Sequence, residues 1–392
     1  MTAAGLQPSG SRWVALDALR GLTIAAMILV NNPGKWGAAW QYDQLRHRDW
    51  HGCTFTDFVF PSFLFCAGVA IWPAFARRIA QGVSRTTLSL QALRRGLALF
   101  GIGLLLHSFP WLTFVADKSL LAPILDVRVL GVLQRIGACY AITALLHLWC
   151  SVQTVRLTAV LLLLGYWALL ALVAAPGQPA PDFDVARNTL QAWLDQLVVG
   201  SHMYLKGRLG YDPEGVLSTL PAIGTALLGL EAGRWLGSAR TDAAKVRGLV
   251  VGGLATAVLG LAWSLWFPLN KPIWTSSYVL WTGGISAVLL GCFHQACAVW
   301  GWRRLAHPLQ VYGVNALLVF VGSAILGRLV GSLITVTGAD GKVVALKEWV
   351  FQAAFASWGA PKVASLLFAV AWITGWYAVL APLYRRGIVW KV

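Results

Sequence analysis

The sequence predicts an all-α protein that crosses a membrane about ten times as one helical bundle. Three observations predict it. Hydrophobic residues make up 58% of the 392-residue chain, and the mean hydropathy is +0.66. Runs of about 20 apolar residues, the length that a bilayer core demands, recur from end to end. The basic residues behind the net charge of +16 gather in alternate short links between those runs, which marks these links as cytoplasmic. Repeated runs of this length argue against soluble β and α/β folds. The placement of the charge argues against nucleic acid and for anionic lipid headgroups as its partner.

The spans are expected at roughly 14–31, 55–76, 96–111, 128–148, 157–175, 217–236, 249–268, 276–299, 308–330 and 361–383. The first is expected to be a retained helix, since one arginine precedes it and no small-residue cleavage site follows. An even count puts both termini on one side. The clusters Arg77, Arg78, Arg85, Arg94 and Arg95, then Arg234, Arg240, Lys245 and Arg247, then Arg303 and Arg304, and finally Arg385, Arg386 and Lys391 make that side cytoplasmic. The segment 344–358 is apolar but interrupted by Lys347 and Glu348, so an interfacial or re-entrant helix is expected there.

The longer loops, 32–54, 112–127, 176–216 and 331–347, fall on the outer side. The loop 176–216 is too short for a typical independent domain and is expected to cap a single domain covering 1–392. Trp36, Trp50, Trp111, Trp149, Trp300 and Trp302 lie near span boundaries, where tryptophan anchors at the interface. Gly101, Gly103, Gly283 and Gly284 are expected to mark close helix contacts, and glycine-rich faces leave room for a homodimer. Six cysteines without a CxxC pair give no disulfide framework and no zinc site; no metal is expected.

The most informative segment is the loop between the first two spans, which carries His47 and His51 and closes on Asp57. Ionisable groups at a membrane boundary are costly to keep unless they are used. An imidazole held by a carboxylate is a general base, because the carboxylate fixes the tautomer and stabilises the imidazolium. His51 competes with His47 for that role. Asn31 ends the first span at the same membrane level, where its amide can donate to an oxygen that gains charge.

Other polar groups gather at the same end. Arg128 and Arg135 are seven apart in the expected fourth span, hence nearly on one helix face. Asp126, Glu214 and Asp57 are the carboxylates weighed as their partners. Asp212 and Glu214 precede the sixth span, as an acidic first turn or as ligands for a hydroxylated or cationic substrate. Asn270, Lys271 and Trp274 form another outer turn. Asp17 and Arg20, three apart at the cytoplasmic end, read first as a structural ion pair. Asn315, about two turns into the ninth span, needs a buried partner.

These segments, in order, resemble the catalytic membrane domain of the heparan-α-glucosaminide N-acetyltransferase family. The matching elements are Asp17-Ala-Leu-Arg20-Gly21, Val30-Asn31, and His47-Arg-Asp-Trp50-His-Gly52-Cys-Thr-Phe-Thr-Asp57-Phe-Val-Phe-Pro61. They continue with Gly131-Val-Leu-Gln-Arg135, Asp212-Pro-Glu-Gly215, Asn270-Lys271-Pro-Ile-Trp274 and Gly313-Val-Asn315-Ala316. The resemblance implies acetyl transfer from cytosolic acetyl-CoA to the amine of a terminal glucosamine or related glycan on the far side of the membrane. It implies that His47 is the base or transient acetyl carrier, that Asn31 contacts the acetyl group, and that Asp57 orients His47.

Arg128, Gln134, Arg135, Asn270, Lys271, Trp274 and Asn315 are the expected acetyl-CoA contacts. His51, Asp212, Glu214 and Ser218 are the expected acceptor contacts. The 31–47 loop is longer than in the lysosomal enzyme, and His51 replaces an asparagine. Without that enzyme's luminal N-terminal region, the chain is expected to be a bacterial inner-membrane member. Two other readings are weighed: a sugar transporter, and an O-acyltransferase acting on a periplasmic glycan.

Overall fold

The structure, a computed structural model, describes residues 13–112, 119–338, 341–357 and 359–390. Trp358, Lys391 and parts of the 112–127 and 331–347 loops lie outside the described residues. The described residues form an all-α bundle with one small hairpin. In chain order its helices begin with α1 (Val14–Asn31), α2 (Phe55–Ala80), α3 (Arg85–Ser108), α4 (Ala122–Leu125), α5 (Val132–Trp149), α6 (Val152–Leu172) and α7 (Leu190–Val198). They continue with α8 (Thr219–Leu236), α9 (Asp242–Trp263), α10 (Ser276–His294), α11 (Arg303–Val314), α12 (Ala316–Arg328), α13 (Leu346–Ala354) and α14 (Pro361–Arg385). Strands β1 (Thr335–Thr337) and β2 (Val343–Ala345) pair antiparallel just before α13.

Among the described residues nine helices are long and apolar enough to cross a membrane, α10 and α12 each being extended by a π turn. The remaining expected span is α8, which carries Glu231 and Arg234 and is therefore less apolar. It compensates by position, packed between α2, α5, α6 and α10 with most of its surface buried. Gly229 lets α8 approach α2, since a Cβ there would sit 2.1 Å from the Phe65 carbonyl oxygen. At the α1/α11 crossing a Cβ on Gly21 would fall 1.7 Å from the Leu309 carbonyl oxygen.

Several expectations are corrected. The fourth span starts at Val132 and not near 128, because the chain stays extended through Arg128 up to Gly131. Arg128 and Arg135 therefore do not share a helix face. The expected ninth span is two helices meeting at Asn315, whose backbone leaves the helical region (φ −113°, ψ 34°). The partner of Asn315 is the chain's C-terminal tail: its amide donates to the Ile388 carbonyl and accepts from the Trp390 N–H, both at 3.0 Å. In the expected interfacial or re-entrant segment, the described residues 344–357 hold no helix long enough to span. They form the second strand and the nine-residue α13 on the surface. Gly103, Gly283 and Gly284 do mark close contacts, whereas Gly101 has open space before it. Asp17 and Arg20 form the expected ion pair at 3.3 Å.

Candidate active site

The capping of α2 builds the centre of the site. Thr54 is the N-cap, and its hydroxyl accepts from the Asp57 N–H at 3.3 Å while Asp57 accepts the Thr54 N–H at 3.1 Å. This reciprocal pairing is a capping box, which locks the carboxylate at the start of the helix. The Arg48 N–H adds a second backbone donor to the Asp57 carboxylate at 3.2 Å. The preceding loop is held by the Thr54 hydroxyl, which donates to the Arg46 carbonyl at 2.7 Å. That chain path brings His47 Nδ1 to 2.6 Å from Asp57 Oδ1. Asp57 is buried, yet about half of the His47 side chain stays exposed. The Tyr278 hydroxyl supports the dyad from α10, donating to the Asp57 carbonyl at 2.6 Å.

Lys271 belongs to this centre, which sequence spacing did not reveal. Its Nζ lies 3.4 Å from His47 Nδ1 and 3.5 Å from Nε2. Burial lowers the pKa of this ammonium, against the opposing pull of Glu214 and Asp57. The loop carrying Lys271 is fixed by Asn270, whose side-chain oxygen accepts the Ile273 N–H at 2.9 Å, and by pairing of its backbone with Gly52. His51 sits apart from His47. Its Nε2 faces Asp184 at 2.9 Å and its Nδ1 receives the Asn270 amide at 3.3 Å. Cys53 is no competing nucleophile, because burial pushes its thiol up to about 12.

A second charged cluster walls the site from the cap. Arg128 pairs with Asp212, Nε to Oδ2 at 3.0 Å, and with Glu214, while Asp126 pairs with Lys206 at 2.7 Å. Burial alone would raise the Glu214 pKa, but the charges of Arg128, Lys271 and Arg135 hold it below the usual range. Arg135 lies deeper. It donates to the Gly215 carbonyl and the Ser218 hydroxyl, and its guanidinium stacks 5.0 Å from the Trp274 ring. The cap holds this loop through Asp195, which accepts the N–H groups of Asp212 at 3.1 Å and Val216 at 2.8 Å.

His47, Asp57, Asn31, Arg128, Glu214 and Lys271 all line one cavity of about 370 Å³ at the cap end, within the usual size for a small-molecule site. The Asn31 side chain is exposed to it. A cavity of about 320 Å³ lies toward the basic end, lined by Arg20, Arg95, Tyr140 and Trp390. The two share the lining residues Met27, Val132 and Phe320, which lie between them. Gln134, Arg135, Asp212, Ser218, Asn270, Trp274 and Asn315 are buried and line neither cavity. His51 lines neither as well. Tyr204 and Tyr211 of the cap loop are lining residues that sequence reasoning passed over. Among the described residues no three His, Cys, Asp or Glu side chains cluster as metal ligands, and every cysteine is free.

Fold and site define a multi-pass helical membrane protein with a His–carboxylate dyad set into a cavity at one end of the bundle. The chain belongs to the heparan-alpha-glucosaminide N-acetyltransferase family, whose catalytic-region profile matches residues 12–267. It is 28% identical to the heparan-alpha-glucosaminide N-acetyltransferase of Homo sapiens over 359 residues, 79% of this chain and 52% of the relative. Against that of Mus musculus the identity is 27% over 369 residues, 81% of this chain and 54% of the relative. The chain thus spans about half the length of the curated relatives it matches.

Proposed function

We propose that this protein is a transmembrane N-acetyltransferase that moves the acetyl group of cytosolic acetyl-CoA onto an amino sugar at the cap end. The observation that carries this reading is the His47–Asp57 pair at 2.6 Å, opening into the cavity that Asn31 and Lys271 also line. Asp57 keeps the His47 proton on Nδ1 and leaves Nε2 as the base. The acceptor amine attacks the thioester carbonyl while His47 Nε2 takes a proton from its nitrogen. Collapse of the tetrahedral intermediate expels the CoA sulfur, which receives that proton from His47. The Asn31 amide donates a hydrogen bond to the oxyanion and the Lys271 ammonium faces it with positive charge, a contribution of about 3–4 kcal/mol per donor.

Acetyl-CoA enters from the basic end, where Arg20 and Arg95 meet its phosphates, and its pantetheine arm reaches the catalytic cavity between Met27 and Phe320, which line both. Glu214 and Tyr211 hold the sugar. Arg135, Asp212, Ser218 and Trp274 act from behind by fixing Arg128 and the 212–218 loop. The basic links set the membrane orientation, and we assign the protein to a bacterial inner membrane. The test uses purified protein in nanodiscs with acetyl-CoA and glucosamine, following CoA release and product mass. His47→Ala abolishes both while the protein still inserts and folds; full activity in that variant would remove His47 from the chemistry.

A further inference from the structure

Beyond Asn31, a cavity of about 690 Å³ among the described residues has no part in the reaction just described. It lies beside the catalytic cavity at the cap end, walled by α1, α3, α12 and the hairpin–α13 segment, and the two share Asn31, Met27 and Phe320. Its depth is hydrocarbon, lined by Ile24, Ile28, Leu106 and Ala324. Its rim is cationic. Lys35, Arg328 and Lys347 face it together with one carboxylate, Glu348, which Lys35 already neutralises at 2.9 Å.

The other two cations have no carboxylate partner within 4.0 Å among the described residues. Arg328 spends one guanidinium nitrogen on carbonyls at the end of α3, those of Leu106, His107 and Phe109. Its remaining nitrogens make no hydrogen bond among the described residues. Lys347 lies over the rings of Phe368, at 5.7 Å, and Trp36, at 6.0 Å, and feels the charge of Glu348 without pairing directly to it. Three cations share one carboxylate at this rim, and a half-buried net positive charge above an apolar pit is unfavourable in a membrane protein unless an anion joins it. The walls α3 and α12 touch at few points and carry the exposed leucines Leu105 and Leu326, so the pit has a flank toward lipid.

We propose that this chamber binds an anionic amphiphile that carries the acceptor, an amino sugar joined through a phosphate-type anion to a hydrocarbon chain. This rests on the acetyl-transfer reading of the adjoining site. The anion lies between Arg328 and Lys347, the chain descends past Ile28 and Ile24, and the sugar amine passes Asn31 toward His47. A soluble anionic sugar would leave the hydrocarbon floor unused, and a neutral glycolipid would leave the two cations unpaired.

The experiment compares three acceptors in nanodiscs of neutral lipid: glucosamine, glucosamine 1-phosphate, and the decyl phosphodiester of glucosamine. The wild-type protein is expected to favour the decyl phosphodiester over each of the others by at least tenfold in kcat/KM. Lys347→Gln and Arg328→Gln lower that preference at least tenfold, and Lys347→Arg restores it. Lys347 makes no backbone bond, so its variant reports on the site even where loss of Arg328 disturbs α3. A second readout does not depend on turnover: radiolabelled decyl phosphodiester is retained by the His47→Ala protein and released by His47→Ala/Lys347→Gln. Binding without acetylation in the wild type would sink the transferase reading and leave the chamber as an amphiphile site that carries no acceptor, overturning this proposal in its acceptor claim. No retention, equal use of glucosamine 1-phosphate, or full displacement by phosphatidylglycerol would each overturn it directly.

Discussion

Replacing Asp57 with asparagine separates the charge of the dyad from its shape. The carboxylate accepts from His47 Nδ1 at 2.6 Å and from the N–H groups of Arg48 and Thr54 at 3.2 and 3.1 Å. Asparagine fills the same space, so the cavity and the start of α2 stay occupied. What is lost is the negative charge beside an imidazole that must become imidazolium. A hydrogen bond to a charged group contributes about 1.5–3 kcal/mol, which converts to a rate loss of about 10- to 150-fold.

A second effect adds to this. If the new amide turns its NH2 toward Nδ1, the His47 proton moves to Nε2 and no basic nitrogen faces the cavity. A wrong tautomer in a His–carboxylate pair costs about 10⁴-fold. The expected fall in kcat therefore lies between about 10- and 10⁴-fold, with little change in KM for acetyl-CoA. Weakening the capping box also lowers stability by about 1 kcal/mol, visible as a reduced Tm. The assay is CoA release with glucosamine as acceptor, beside thermal unfolding of the same sample. A folded Asp57→Asn protein with kcat within about threefold of wild type would refute the role given to the dyad.

Other consequences follow from the same geometry. Lys271→Met removes the ammonium 3.4 Å from His47, and kcat is expected to fall about 10²- to 10³-fold, as for loss of one oxyanion donor; KM for the acceptor should change less. Met27→Trp places a bulky ring between the two cavities that Met27 lines, which should raise KM for acetyl-CoA while the glucosamine dependence of residual turnover stays near wild type. Asp195 is buried in the cap, and burial raises its pKa from 3.8 to about 6. The folded state then holds more protons than the unfolded state across that window. The corresponding stability is fully present below about pH 4 and is lost as pH rises through about 6, by roughly 3 kcal/mol at most. Thermal unfolding at pH 4 to 7 should show this slope in the wild type and a flatter one in Asp195→Asn.

The spans were legible because a bilayer demands long apolar runs, and that demand survives whatever the helices pack against. Only α8 stretched the rule, since Glu231 and Arg234 are tolerated where neighbouring helices surround them. The His47–Asp57 pair was legible because His47 lies near the end of a loop that closes on the helix cap where Asp57 sits. Lys271 at His47 was not, because the contact crosses more than two hundred positions of chain and depends on how α9 and α10 pack. The break at Asn315 was equally hidden. Val314 and Ala316 continue an apolar run, and only the tail residues Ile388 and Trp390 show where the asparagine amide is satisfied. The fourth span was placed too early because Arg128 looked like the start of a helix, whereas its pairing with Asp212 and Glu214 holds it in an extended segment.

The most direct measurement of the central claim places the two substrates on opposite sides of a membrane. Protein is reconstituted into proteoliposomes, oriented by protease access to the basic links, with acetyl-CoA supplied only at the basic face and glucosamine only at the cap face. The account predicts N-acetylglucosamine on the cap side and free CoA on the basic side, in equal amounts, both lost in His47→Ala. Glucosamine crossing unmodified while acetyl-CoA stays intact would contradict it and identify a transporter instead.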